Sequence, residues 1–399
     1  MSDNLAELSK SLAEDLHTES MWDWELLPPE ILIQSLSLLP IKSLITCTSV
    51  SKTWKSLIQN PTFISNHLHI HLSNNNNHLL LFRLCSKQLS EAIINFAIDE
   101  DETIKIDEDE TELYKLYWDN NNNEDFNEHT SFDFPFHGES SSRVFNVIGT
   151  YNGLVCLADD FLTYAYNFIL WNPCVRKFVK LPPPNVSFIT HGTFDASTGF
   201  GFDAKTNDYK VVRFVTLENA GELGESPPEV EVYSLAIGEW RMVTALAPIG
   251  AVLGRDTQAF INGALHWIAE EELPKLSDED GYLEQPVISA YGNSLALFYD
   301  IDRALNIWVM KEYDDASSWT KIFTYAVLGF GYHVPTPRPI AFRRSGEVIL
   351  EKLREQLVSC DLESQKIKHL GIAGYGFTFA GSYVESLVLL DKPNRAVTY

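Results

Sequence analysis

The sequence predicts two architectures in tandem: a small all-α module of three helices near the amino terminus, then a much larger all-β propeller. Three observations carry this. Apolar residues recur at helical spacing between Leu26 and Pro61, with prolines at the breaks. From about residue 69, short alternating runs replace that spacing, and turn residues arrive every ten or so positions. A turn-then-strand unit then recurs at uneven intervals of about forty to fifty residues, the pattern of radial β-sheet blades.

The chain of 399 residues is 45% hydrophobic and 12% aromatic, enough for one large domain plus a small one. Residues 1–22 carry Asp3, Glu7, Glu14, Asp15 and Glu19 without a basic start or an unbroken apolar stretch, so they read as a tail and not as a signal peptide. No apolar run approaches the roughly 20 residues that cross a bilayer. A formal net charge of -25 argues against nucleic acid and anionic membranes and favours a basic protein partner. Cys47, Cys85, Cys156, Cys174 and Cys360 are scattered singly with no zinc spacing, which fits a reducing compartment and no metal. Asn185-Val186-Ser187 is then a chance sequon.

Residues 23–66 hold the helices. Pro28 and Pro29 suit a first helical turn, and Ile31, Leu32, Leu36 and Leu39 follow at helical spacing until Pro40. Ile41, Leu44, Ile45 and Thr48 form a second face. Ser51 caps a third helix carrying Trp54, Leu57 and Ile58 up to Pro61. About forty residues without disulfide or metal bury too little apolar surface to stand alone, so these helices dock either on the rest of the chain or on a partner.

The run from Leu27 to Asn60, "LPPEILIQSLSLLPIKSLITCTSVSKTWKSLIQN", resembles the F-box. Its markers are Leu27-Pro28, the Leu39-Pro40-Ile41-Lys42-Ser43-Leu44 centre and the Val50-Ser51-Lys52-x-Trp54 ending. The resemblance implies docking onto a Skp-family adaptor and, through it, onto cullin and a RING protein in an SCF ubiquitin ligase. By position it assigns Leu27, Pro28, Ile31, Leu32, Leu39, Pro40, Leu44, Val50 and Trp54 to core or adaptor contact, without dividing the two roles.

The propeller is expected over residues 78–390. Its turn-first units are "YNGLVCL" from Tyr151, "INGALHWI" from Ile261, "YGNSLALF" from Tyr291 and "RSGEVILE" from Arg344. Strand–turn–strand units follow in "ILWNPCVRKFVKL" from Ile169, "VEVYSLAIGEWRMV" from Val230 and "LVSCDLESQKIKHL" from Leu357. Two packed sandwiches would not explain this recurrence. A closed ring removes strand edges, so "FTFAGSYVESLVLL" is expected to pair with "HLLLFRL" from His78. Between Ile268 and Tyr291 one blade is expected to be short. Asn runs at 74–77 and 120–123, with "DEDETIKIDEDETE" from Asp99 to Glu112, read as an acidic, solvated insertion near 99–125.

These β segments resemble, in order, the plant F-box-associated domain of kelch type, so the blades are kelch-like, although the chain has no Gly-Gly pair. Relatives of this type include S-locus F-box proteins of self-incompatibility and others in immunity or hormone signalling.

GxSxG, HExxH, the P-loop and the Rossmann fingerprint are absent, and "GIAGYGF" from Gly371 has its glycines in the wrong order. His191 and His266 lack a second ligand at metal spacing. The expected function is therefore a non-catalytic adaptor without cofactor, cytoplasmic or nuclear, that recruits a protein substrate. The alternative is a propeller binding module acting outside ubiquitin transfer. Substrate contact is expected on the connections around Pro182 to Thr193, Glu218 to Glu229 and Glu270 to Pro286.

Overall fold

The computed structural model describes residues 28–73, 78–86, 112–120, 126–136, 145–159, 167–217, 228–243, 258–268, 286–301, 304–326, 336–352, 356–375 and 378–392. The chain divides into two compact units, Met1–His67 and Leu68–Tyr399.

The three expected helices form with the expected punctuation. Helix α1 (Pro29–Ser37) starts on proline, whose missing N–H is one the first turn could not pair anyway. Pro40 ends that segment and stands immediately before α2 (Ile41–Cys47). Helix α3 (Lys52–Ile58) is capped by Ser51, whose hydroxyl accepts from the Trp54 amide at 3.1 Å. A fourth helix, α4 (Pro61–Ser73), was not anticipated. Pro61 reads as a stop in the sequence, yet Asn60 takes the capping role, its side chain accepting from the Thr62 amide at 2.8 Å, and Pro61 begins the next helix. Three interleaved histidines, His67, His69 and His71, obscure the apolar period there.

The β unit contains β1 (Leu79–Cys85), β2 (Glu112–Trp118), β3 (Glu128–Asp133), β4 (Asn146–Tyr151), β5 (Leu154–Ala158), β6 (Phe168–Asn172) and β7 (Lys177–Lys180). A one-turn helix, α5 (Phe188–His191), precedes β8 (Phe194–Asp203), β9 (Asp208–Leu217), β10 (Glu229–Ser234) and β11 (Glu239–Val243). Then come β12 (Ala259–Ile261), β13 (Ala264–His266), β14 (Val287–Tyr291), β15 (Ser294–Ile301), β16 (Ala304–Met310) and β17 (Trp319–Ala326). The last are β18 (Arg338–Phe342), β19 (Val348–Lys352), β20 (Gln356–Cys360), β21 (Ile367–Ala373) and β22 (Phe379–Tyr383).

Among the described residues these strands make five four-stranded antiparallel blades, β22-β1-β2-β3, β4–β7, β8–β11, β14–β17 and β18–β21. A two-stranded sheet, β12-β13, lies between the third and fourth. The rest of the segment where a short blade was expected, 269–285, falls outside the described residues. The first strands of successive sheets, β22, β4, β8, β12, β14 and β18, neighbour one another in a closed ring.

Closure follows the expectation. Strand β22 supplies the inner strand of the blade that begins with β1, pairing antiparallel from Leu79↔Tyr383 to Arg83↔Phe379. Strand β1 is thereby paired on both sides and is not an edge of that sheet. The apolar residues after Tyr383 do not extend the strand. Leu387, Leu389 and Leu390 are buried, and the segment is held by Asn172 Nδ2, which donates to the Ser386 and Val388 carbonyls at 3.0 and 2.9 Å.

Strand β1 explains its own composition. Leu79 and Leu81 join a core with Tyr114, Phe134, Val155 and Trp171, while Leu80 and Phe82 face a second core with Ile349 and Leu357. A strand buried on both faces needs an apolar run, and period-two alternation would not serve it. At the first inner hairpin Asn152 and Gly153 both have positive φ, 50° and 80°. Any Cβ on Gly153 would lie 2.4 Å from Ser386 Oγ.

The acidic insertion near 99–125 requires correction. Strand β2 occupies residues 112–118 inside it, and the last residue of the acidic run, Glu112, is buried. Arg83 Nε donates to Glu112 Oε1 at 2.7 Å, with side-chain exposures of 1% and 0%, and Tyr114 Oη lies 3.4 Å from the same oxygen. Composition placed Glu112 in solvent because it weighs each acid alike. The buried arginine sits 29 residues earlier in sequence and is visible only once β1 and β2 pair. Residues 99–111 and 121–125 lie outside the described residues.

Candidate functional site

In the helical unit, the structure divides the sequence-predicted residues by burial. Leu32 and Leu44 are buried and belong to its core with Leu36, Ile41 and Ile58. Leu39 and Trp54 are half-buried. Pro28, Ile31, Pro40 and Val50 are exposed, Val50 to 64%. Leu27 lies outside the described residues. Two apolar residues that the pattern did not single out are also exposed, Ile33 and, at 78%, Leu38. Leu38 stands seven residues after Ile31 and so nearly eclipses it on the helical wheel. The signal was apolar residues on more than one face of a nine-residue helix, a surplus that only burial could sort. The surplus is a set of exposed apolar side chains on and beside short helices.

Burial pushes the Cys47 thiol up, and in the β unit it does the same to Cys174 and Cys360, with Glu385 adding to the effect at Cys174. These thiols stay protonated near neutrality, the opposite of what a nucleophile requires. Among the described residues no group of three or more His, Cys, Asp or Glu side chains could hold a metal. His266 is a structural group: Nδ1 lies 3.2 Å from the Ala259 carbonyl and Nε2 2.9 Å from Tyr313 Oη. The adjacent Trp267 packs on Phe214.

The strand directions give the β unit two unlike faces. Gly149 lies against Phe200 and Tyr151 stacks on Phe202, so β4 and β8 run the same way. Tyr291 meets Phe342 at the ends of β14 and β18 in the same sense. With consecutive strands antiparallel within each sheet, the turns between first and second and between third and fourth strands fall on one face. They include the tight Asn152-Gly153, 204–207, 235–238 and Asn262-Gly263 turns and the longer 119–127 and 311–318. The connections between second and third strands and between sheets leave from the opposite face. They include the long 86–111, 181–193, 218–228, 244–258 and 267–286 and the short 302–303 and 353–355. The three connections expected to contact substrate all leave from this side. In sequence, 87–111 and 269–285 together carry sixteen acidic residues against three lysines.

Of those connections, only the one at Pro182 to Thr193 is described throughout. It is strapped to its blade by three hydrogen bonds: Trp240 Nε1 donates to the Pro182 carbonyl at 2.8 Å, the Asn185 amide to Glu231 Oε2 at 2.8 Å, and Arg213 Nη1 to the Val186 carbonyl at 3.3 Å. Glu231 and Arg213 form a fully buried ion pair beneath it.

Comparison with known proteins bears on both units. Residues 24–66 match the F-box domain, and residues 103–278 match the F-box associated beta propeller domain. The chain is similar to the F-box protein CPR1 of Arabidopsis thaliana, 26% identical over 91% of this chain and 89% of that protein. It is similar also to the Arabidopsis thaliana F-box protein At4g22390, 25% identical over 91% and 90%, and to the F-box/kelch-repeat protein At3g23880, 25% identical over 78% and 82%.

Proposed function

We propose, for a chain that is an F-box protein with an F-box-associated β-propeller, that it is the substrate-recognition subunit of an SCF ubiquitin ligase. The F-box docks a Skp-family adaptor, and through it cullin and the RING protein. The propeller holds a protein substrate, raising its effective concentration beside the ubiquitin-loaded enzyme. The chain itself makes no bond and needs no cofactor, and it works in the cytoplasm or nucleus. Among the described residues no helix is long and apolar enough to cross a membrane.

The observation that carries this reading is the apolar surplus on the F-box: Ile31, Ile33, Leu38 and Val50 stand in water beside exposed Pro28 and Pro40, although Leu32, Leu36, Ile41 and Leu44 already supply a core. Burying such side chains is worth roughly 1.5–3 kcal/mol each, enough to make a protein interface from a handful. Co-purification tests it. The wild-type chain should bring down adaptor and cullin together, and a variant with Leu39 and Pro40 replaced by Asp and Gly should bring down neither while the propeller keeps its β-sheet circular dichroism. Unchanged adaptor recovery by that variant overturns the proposal.

A further inference from the structure

The connection at residues 182–193 inverts the usual distribution of side chains. Its polar backbone is anchored and its middle residue, Val186, is buried with Phe194 and Val215, yet its most apolar pair points outward. Phe188 is 47% exposed and Ile189 is 91% exposed, and none of the four residues of α5 is buried. The turn is fixed on both sides. Ser187 and Thr190 form a reciprocal capping box, and the Gly192 amide donates to the Phe188 carbonyl at 2.9 Å, with Gly192 at φ 78° ending the turn. His191 Nε2 lies 3.8 Å from Glu229 Oε2. Ile237, 70% exposed, is an instructive contrast. It sits in a tight turn on the opposite face, itself tied down by the Ala236 amide donating to Asp208 Oδ1 at 2.9 Å and the Ile237 amide to Ser234 Oγ at 3.2 Å, so it differs from Ile189 in its face alone.

We propose that Phe188 and Ile189 form a preorganised apolar anchor for the protein substrate, and that the substrate meets it with a segment that sets apolar residues among lysine and arginine. This deepens the substrate-adaptor reading and rests on it. Ordering the anchor beforehand removes the entropy that a loose loop would lose on binding, so its apolar area contributes more fully to affinity. The basic character of that segment follows from charge. The protein carries -25, and two of the connections leaving the same face as α5, 87–111 and 269–285, are strongly acidic in sequence. A basic surface is therefore drawn to this face, and an acidic one is repelled from it.

The test uses the full chain and a library of random peptides of about 12 residues, the tightest binders being resynthesised for anisotropy titrations. Selected peptides should pair two or more apolar residues with a net positive charge. Their Kd should rise at least tenfold on Ile189→Asp and severalfold on Ile189→Ala, and should not move on Ile237→Asp. Affinity should also fall as salt is raised from about 50 to about 300 mM, which shortens the reach of the field. No enrichment over the Ile189→Asp chain, equal binding by both chains, or a selected set without basic bias would each overturn the proposal. Adaptor pull-down on the same preparations reads the ligase assignment separately, since none of these substitutions touches the F-box.

Discussion

Replacing Glu112 by alanine should destabilise the β unit far more than removing the thirteen acidic-run residues before it, 99–111. The pair it breaks is fully desolvated, Arg83 and Glu112 being 1% and 0% exposed with 2.7 Å between their atoms. Deleting Glu112 takes the carboxylate away from a buried guanidinium between β1 and β2, a loss of about 3–5 kcal/mol. For a unit of this size about 1 kcal/mol corresponds to roughly 2 °C in Tm, so the shift should be about 6–10 °C. Deleting 99–111 shortens a connection and leaves the pair intact, and loop closure then changes by well under about 1 kcal/mol. Deleting 99–112 should behave like Glu112→Ala. Replacing both partners by apolar residues, Arg83→Met with Glu112→Leu, should recover most of the loss, because the cost lies in a buried cation deprived of its carboxylate. Thermal unfolding followed by circular dichroism measures all four. A shift below about 2 °C for Glu112→Ala, or equal shifts for the two deletions, would refute the claim that the acidic run ends in the core.

Other outcomes follow from single contacts. Gly153→Ala should cost more than Gly263→Ala: both have φ near 80°, but only the first would drive a Cβ to 2.4 Å from Ser386 Oγ, and thermal melts of the two variants compare them. Truncation before Phe379 should leave β1 an open edge, and gel filtration should find aggregate in place of monomer. Leu44→Ala should destabilise the F-box by about 2–5 kcal/mol in denaturant titrations, whereas Leu38→Ala should leave its stability unchanged and weaken adaptor binding. Lys210 and Thr206 hold the Asp203 carboxyl well below the usual carboxylate range. Its folded pKa being depressed, Asp203→Asn should lower Tm at neutral pH, and the difference should fade as pH falls below about 4 toward that depressed value.

Much of this protein is written in local sequence, because local chemistry is what caps and turns depend on. Pro28, Pro40 and Ser51 punctuate the first three helices by missing or accepting a hydrogen bond within a few residues. Asn152-Gly153 and Asn262-Gly263 can adopt the positive φ of a tight hairpin wherever they occur. The recurrence of such units, and the need of a propeller to close, were enough to pair the carboxy-terminal strand with "HLLLFRL". Only tertiary structure decided the rest. Asn60-Pro61 stops one helix and starts another, and sequence cannot tell a pause from an end. Which of Ile31, Leu32, Leu38 and Leu44 meets water depends on how three helices pack, as all four are equally apolar. Glu112 became a core residue because Arg83 lies across a strand pair, and Ile189 became a surface residue because Val186, Asn185 and Pro182 are tied down around it. Burial is a property of neighbours brought together from far along the chain, so it is fixed only when the chain has folded.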